Sequence, residues 1–239
     1  MHVDQDRRGP STGGRRPFDL SIECASDDAG VALSVGGAVS ESTTWSAHQT
    51  QSVTLLPNID ALLTSAGRTK RDIGAVFVDI GPGGYAGLRV GVSVAKALAH
   101  ALAVPLAGIG RLELDAWLVA GEAAGRRIVA VHRAGRGDFA WAAYHVDGAA
   151  PREESPPRID TQDALAAALR PHDILTGDVD ETLAAAARAA GTPVAAPAAH
   201  RVVALAALGR RRLDAGSADD PAALVPLYLR GPAIGPPRA

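Results

Sequence analysis

Between Gly81 and Gly91 the chain reads GPGGYAGLRVG, a segment with five glycines in a chain of 239 residues. Residues 73–80, just before it, form a short β-branched and aromatic run that predicts a strand. After it, apolar residues recur at the spacing of a helix, at Leu88, Val92, Ala95, Ala99 and Leu102. The order strand, glycine loop, helix indicates a layered α/β protein.

The glycine loop allows two interpretations. Free backbone N–H groups at a helix start can hold an anion such as phosphate. However, the loop lacks the lysine and hydroxyl of a P-loop, and its third glycine falls one residue late for the dinucleotide-binding fingerprint. The glycines can also simply form a sharp turn that lets the helix pack closely on the sheet. The residues by themselves favour the turn.

The composition is that of an ordinary globular protein, with 47% hydrophobic and 21% charged residues. A net charge of −2 gives no global attraction to nucleic acid. Cys24 is the only cysteine, so an internal disulfide is excluded and a reducing, cytoplasmic compartment is expected. No run reaches the roughly 20 apolar residues of a membrane span. Residues 1–17 are basic without an apolar stretch, which predicts a disordered tail and not a signal peptide.

The chain falls into two similar halves. The first predicts a β-meander, a helix, a strand and a second helix, at residues 18–24, 30–35, 38–43, 51–66, 73–80 and 86–103. Pro57 lies inside the first helical pattern, so the helix starts either at residue 51 or, as an alternative, near this proline. The second half predicts a hairpin, a loop, a helix, a strand and two further helices, at residues 128–133, 139–146, 149–157, 161–169, 173–176, 180–190 and 202–213. This order suggests a duplicated α/β unit.

Residues able to do chemistry are present but scattered. Arg89 lies in the first turn of a helix, where a cation needs an anionic neighbour, either an acid of the chain or a ligand. No two histidines have the i, i+4 spacing of a metal pair on a helix, so no metal site is expected. Ser26 and Cys24 lack the surroundings of a nucleophile. Candidate acid–base carboxylates, each equally typical of a solvated helix, are Glu113, Asp115, Asp178, Asp180 and Glu181.

The second helix carries many small residues, and these would allow another helix to approach closely. They are Gly87, Gly91, Ser93, Ala95, Ala97 and Ala99, interleaved with Leu88, Val92, Leu98 and Leu102. A protein partner is one interpretation of this face. Burial of the same face against the chain's own sheet is the other, and the sequence does not separate them.

Read together, these residues resemble the TsaB family, whose hallmark is G-P-G-S-F-T-G-L-R-I/V-G. The segment 81–91 is similar to that hallmark along its whole length. Residues 95–99 and 104–106 resemble the family's A-K-G-L-A and I-P-L. Weaker similarities lie at residues 31–33, 55–57, 135–141 and 227–230, so the resemblance covers about residues 18–230.

The resemblance implies a duplicated actin-like fold of the ASKHA and ribonuclease H-like type, with two small domains of mixed sheet and flanking helices. The implied ranges are a first domain at 18–109, a second at 110–223, and a segment at 224–239 that returns to the first. It also implies a non-catalytic subunit that dimerises through the two helices of the first domain. The residues expected in the loop and partner surface are Gly81, Pro82, Gly83, Tyr85, Gly87, Leu88, Arg89, Gly91, Val92, Ala95, Leu56, Ile59 and Leu63.

The chain departs from the family pattern at several polar positions. The family's first-strand D-T-S is Glu23-Cys24-Ala25 here, and its H-S-E before L-L-P is residues 51–53, Gln-Ser-Val. The serine and threonine of the loop become Gly84 and Ala86. The H-x-x-x-H metal motif of the catalytic relatives is absent from the sequence. These changes argue against independent ATP hydrolysis and mark a divergent member.

Three functions follow from the resemblance. The first is a scaffold that supports threonylcarbamoyl transfer to the adenosine next to the tRNA anticodon, paired with a TsaD-type catalytic subunit and assisted by a TsaE-type ATPase. Such a scaffold has no cofactor of its own, ATP or ADP would lie at the interface, and tRNA would bind only within the complex. The second is a nucleotide-binding hydrolase or peptidase-like enzyme of the same fold. The third is a degenerate paralogue that homodimerises and serves another partner.

Overall fold

The computed structural model describes residues 17–230 apart from 124, 148, 149 and 198. The predicted tail, except for Pro17, and residues 231–239 of the predicted C-terminal segment lie outside the described residues. The described chain forms two sheets with helices packed on them.

The first sheet has the order β3-β2-β1-β4-β5. Its strands are β1 (Phe18–Glu23), β2 (Asp28–Val35), β3 (Ala38–Ser46), β4 (Ile73–Gly81) and β5 (Leu106–Gly110). The first three form the predicted antiparallel meander, and Gly36 and Gly37 supply the positive φ angles that its tight turn requires. β4 runs parallel to β1 and to β5. β1 and β4 are almost wholly buried because helices cover both faces of the sheet.

Two pairs of helices cover the first sheet. On one face, α1 (Gln51–Ser65) and α2 (Tyr85–Leu102) pack on Val76 and Val78 of β4. On the other face, α3 (Arg111–Leu118) and α7 (Arg201–Asp214) pack on Ala75 and Phe77. Successive side chains of β4 therefore point to opposite faces of the sheet and pack into different cores. The predicted boundary at residue 223 would put α7 in the second domain, whereas its buried residues pack on the first sheet.

The alternative start of α1 near Pro57 is wrong, because the helix begins at Gln51 and continues through the proline. A proline removes the backbone bond to the carbonyl four residues earlier, here that of Val53. Both Pro57 and Val53 are exposed, so the missing bond lies on the solvent side of the helix and not in the core.

The second sheet has the order β10-β6-β7-β8, with β9 also paired to β7. The strands are β6 (Arg127–Gly135), β7 (Asp138–Asp147), β8 (Ala150–Glu153), β9 (Arg158–Thr161) and β10 (Ile174–Gly177). Its helices are α4 (Ala120–Ala123), α5 (Gln162–Ala168) and α6 (Glu181–Ala189). The stretch 149–157 predicted as a loop instead holds β8, and β9 follows directly after it, since β7 is long enough to pair with both.

The two sheets share one topology. Each sheet begins with an antiparallel hairpin, formed by β1 and β2 in the first sheet and by β6 and β7 in the second. In each sheet a later strand then pairs in parallel with the first strand of the hairpin, β4 with β1 and β10 with β6. Leu175 of β10 also forms a parallel bridge to Val194, the place of a fifth strand. The chain then returns to the first sheet, where the N–H of Asp219 donates to the carbonyl of Leu106 and that of Leu227 to Ile80. The fold is a duplicated actin-like one, as predicted.

Candidate functional site

The glycine loop is built for contact between backbones. A Cβ atom at Gly83 would lie 2.2 Å from the carbonyl oxygen of Ala25, and one at Gly87 would lie 2.2 Å from that of Cys24. The N–H of Gly84 donates to the carbonyl of Ala25 at 2.8 Å. The glycines therefore let α2 begin directly against the end of β1, as the turn interpretation predicted.

The cleft beside this loop has a volume of about 770 Å³. Asp27, Asp28 and Asp178 line it, together with Arg111 and Arg201. Both arginines are already paired with carboxylates, and the loop N–H of Gly84 is used by Ala25. The nucleotide that the fold family implies needs spare cations or free N–H groups for its phosphates. Neither arginine is therefore spare for a phosphate, and the N–H groups in the first turn of α2 are the donors that remain.

Ion pairs link the walls of the cleft. Arg111 of α3 contacts Asp178, which follows β10, with 2.9 Å between Nη2 and Oδ1. His132 of β6 contacts the other oxygen of Asp178 at 2.6 Å. Burial alone would raise the pKa of Asp178, but the hydrogen bond from His132 and the charge of Arg111 hold it well below its usual range. Asp178 is therefore a fixed anion at this junction.

Two carboxyl groups lie buried at the ends of neighbouring strands. Glu23 ends β1 and Asp79 lies near the end of β4, with exposed fractions of 0% and 1%. Burial is the main cause that raises the pKa of Glu23 to about 7 and the pKa of Asp79 to about 8. The charge of Glu23 is a second cause of the raised pKa of Asp79. Backbone N–H groups of Ala25 and Gly81 donate to the two carboxylates.

Asp79 and Arg201 were not predicted from the sequence as site residues, and Glu23 was noted there only as a departure from a family motif. A usable signal was present. Both acids lie at or near the end of buried strands, where a charged residue is rarely found without a partner or a shifted pKa. Among the candidate carboxylates, Asp178 lines the cleft and the buried Asp115 pairs with Arg201 of its lining. Glu113 pairs with Arg212, and Asp180 caps α6.

The structure shows how exposed the residues expected in the loop and partner surface are. Nine of its thirteen residues are buried within the chain, namely Gly81, Pro82, Gly87, Leu88, Gly91, Val92, Ala95, Ile59 and Leu63. They pack between the helices and the first sheet, so they do not offer an exposed face. Leu56, Tyr85 and Arg89 are exposed, and Gly83 is half-buried. Arg89 donates to the hydroxyl of Tyr85 at 3.0 Å and lies over its ring.

The outer faces of α1 and α2 carry a different apolar surface, which we call the α1–α2 strip. Val53 and Leu56 of α1 have exposed fractions of 69% and 45%. On α2, the strip continues through residues spaced three or four apart, at Val90, Ser93, Val94 and Ala97. A shallow groove of about 330 Å³ runs between the two helices here, lined by Ser52, Arg89, Val90, Ser93 and Val94.

Among the residues that the structure describes, no group of three or more His, Cys, Asp or Glu side chains is arranged to hold a metal ion. In the same part of the chain, no helix combines the length and apolar character needed to cross a bilayer.

Comparison with known proteins places the chain in a family. Residues 35–204 match the family model described as TsaD, tRNA N6-adenosine threonylcarbamoyltransferase. An uncharacterized protein of Mycobacterium tuberculosis is 35% identical over 185 residues, 76% of each chain. The tRNA threonylcarbamoyladenosine biosynthesis protein TsaB of Escherichia coli is 29% identical over 128 residues, 54% of this chain and 55% of that one.

The fold agrees with these matches. The solved structure of YeaZ from Pseudomonas aeruginosa superposes with a TM-score of 0.73 and covers 88% of this chain and 100% of its own, at 20% identity. At that identity the likeness concerns the fold alone. Because the sequence matches agree with the fold, and the glycine loop and α2 are retained, the chain belongs to the family of the TsaD model. It is a divergent TsaB-like member with an actin-like fold.

Proposed function

We propose that this chain is an accessory subunit for threonylcarbamoyl transfer to the adenosine next to the tRNA anticodon, and that α1 and α2 pair it with a TsaD-type catalytic subunit. The relatives named for threonylcarbamoyladenosine biosynthesis support a role in this tRNA modification. The match to the TsaD family model and to a catalytic relative supports a partner of that type. Such a subunit works in the cytoplasm, where tRNA is modified.

The α1–α2 strip is the observation that carries the pairing. Val53 and Leu56 are large exposed apolar side chains on α1, and Val90 and Val94 on the neighbouring helix α2 are half-buried. An apolar strip on two adjacent helices, with small residues between, is a surface onto which two further helices can pack. In the absence of the catalytic subunit, the same surface would pair two copies of this chain.

We propose that the subunit performs no chemistry of its own. The buried pair Glu23 and Asp79 has the raised pKa values typical of acid–base groups. However, both side chains are closed off from solvent, and a general base must reach the proton that it removes. The two arginines of the cleft are also both paired with carboxylates. These contacts support a scaffold over a hydrolase or peptidase, with any nucleotide at the interface and a TsaE-type ATPase as a further partner.

Co-elution with the catalytic paralogue from the same genome tests the pairing. Val53→Asp puts a charge in the strip, and as the third residue of α1 it suits the helix dipole, so the monomer should fold normally. We expect this variant to lose the complex on size exclusion. Val35→Asp, an exposed valine at the end of β2, is the matched control and should keep it.

Failure of the wild-type chain to co-elute with the catalytic paralogue would contradict the proposal. Equal complex formation by Val53→Asp and wild type would also contradict it, because the strip would then lie outside the interface. A wild-type homodimer that excludes the catalytic subunit would favour the degenerate paralogue.

A further inference from the structure

A second surface lies at the start of α2, where two tyrosines stack. The rings of Tyr85 and Tyr228 have centroids 4.9 Å apart and an interplanar angle of 29°. Their exposed fractions are 42% and 40%, so much of this stack faces solvent. The guanidinium of Arg89 lies 5.4 Å from the centroid of the Tyr85 ring. Exposed, stacked aromatic rings next to a guanidinium form a platform for another flat ring.

A groove of about 510 Å³ adjoins the two tyrosines. Apolar side chains of Ile159 and Leu227 line part of it. Three arginines line the rest, Arg133 and Arg136 from the β6–β7 hairpin and Arg230 from the C-terminal segment. We call the two tyrosines, Arg89 and these three arginines the tyrosine–arginine surface.

The charge of this surface is positive. Arg133 pairs with Asp180 at 3.2 Å, and Arg230 pairs with Asp138. Arg89 and Arg136 form no ion pair with a carboxylate in the part of the chain that the structure describes. Arg136 sits at the tip of the hairpin between two glycines. Four cations against two acids leave an excess of about two positive charges on a chain whose net charge is −2.

We propose that the tyrosine–arginine surface binds a single-stranded segment of RNA. Unpaired bases stack on aromatic side chains, and arginines contact the phosphates between them. Tyrosine and arginine are also common at protein interfaces, but the excess of positive charge favours a polyanion. The chain would thus contact the tRNA directly, a role that the pairing by α1 and α2 neither requires nor supplies.

Fluorescence anisotropy with the full chain tests this. The probe is a labelled single-stranded RNA of about ten nucleotides and mixed sequence, compared with the same sequence as a duplex. We expect the single strand to bind more tightly than the duplex, and its affinity to fall between about 50 mM and about 200 mM salt. Tyr228→Leu, which removes one ring of the stack, should weaken binding about tenfold.

Arginine variants provide the matched comparison and do not depend on the folding of the C-terminal segment. Arg133→Gln and Arg136→Gly should each weaken binding a few-fold, by roughly 3- to 10-fold, and reduce its salt dependence. Glycine suits position 136 because φ there is +57°. Arg188→Gln is the control, since Arg188 has the same 60% side-chain exposure as Arg133 and also pairs with one acid. It should bind like wild type.

The proposal is overturned if the single strand does not bind, if the duplex binds equally well, or if Arg133→Gln and Arg188→Gln behave alike. It is also overturned if the variants keep RNA affinity but lose the catalytic subunit on size exclusion, because the surface would then be a protein interface. Val53→Asp separates the two proposals, since it should lose the partner and keep the RNA. Arg89 is left unchanged in these variants because it also borders the α1–α2 groove.

Discussion

At the scale of single residues, the glycines of the GPGGYAGLRVG segment matter because they have no Cβ atom. Gly83 and Gly87 bring the first turn of α2 against two carbonyl oxygens of the chain that follows β1. The carbonyls belong to backbone, which cannot swing aside as a flexible side chain can. This contact explains the motif without any bound phosphate.

Gly87→Ala should destabilise the folded chain by about 1–3 kcal/mol, because its Cβ would overlap the carbonyl oxygen of Cys24. Chemical denaturation measures the loss. Gly121→Ala is the control, since Gly121 also lies in a helix and a Cβ there meets nothing within 4 Å. It should be neutral or slightly stabilising, and an equal loss in both variants would refute the close-contact explanation.

The sequence predicted this loop better than it predicted the cleft. A glycine motif between a strand and a helix indicates a tight turn by itself. The pairing of Arg111 and Arg201 with Asp178 and Asp115 joins residues up to 86 positions apart in the chain. Spacing in the sequence carries no signal for such contacts, because the fold alone brings those side chains together.

At the scale of elements, the ends of β1 and β4 hold two carboxyl groups that shift the response of the chain to pH. The folded state holds protons on Glu23 and Asp79 over a range in which the unfolded chain has released them, since both pKa values are raised from 4.5 and 3.8. Stability contributed by this pair is therefore present at low pH and lost as the pH rises through about 7 and about 8.

Asp79→Asn should remove much of this loss, because the amide oxygen can still accept the N–H of Gly81 and carries no charge. Denaturation of wild type and variant between about pH 5 and about pH 9 compares the two slopes. His132 and His200, whose pKa values are lowered first of all by burial, act in the opposite direction in both proteins and cancel in the comparison. Parallel curves for the two proteins would contradict a protonated pair.

The long elements were predictable, and so were the short β10 and α5, whereas β5, β8 and β9 were not. The meander, α1, α2, β4 and α7 follow from alternation or helical spacing, and the structure confirms them. β5 is five residues long, with two glycines and an alanine and no alternation to detect. The sequence of β8 and β9 is rich in proline and charge. Both strands form because each pairs with a different part of the same edge of β7. Their pairing is tertiary, so local sequence did not indicate it.

At the scale of the whole molecule, the apolar pattern of α2 includes residues that fill the core and residues that face outward. Leu88, Val92 and Ala95 fill the core between α2 and the sheet, whereas Val90, Val94 and Ala97 lie toward the outside. Periodicity gives the width of an apolar face but not which part of it the chain covers itself. The fold class and the helices of the partner surface could thus be expected from sequence, and the outward residues required the structure.

The cleft is also a feature of the whole molecule. Its ion pairs join elements of both sheets, and both of its arginines are paired with carboxylates. On the two proposals, the chain supplies an apolar strip for a catalytic partner and a tyrosine–arginine surface for RNA.

The threonylcarbamoyladenosine content of tRNA, measured in a deletion strain that carries plasmid copies of the gene, tests the central claim most directly. Deletion should abolish or strongly reduce the modified nucleoside, and the wild-type gene and Val35→Asp should restore it. Val53→Asp should fail to restore it while accumulating as folded protein. Unchanged nucleoside content on deletion, or full restoration by Val53→Asp, would contradict the account.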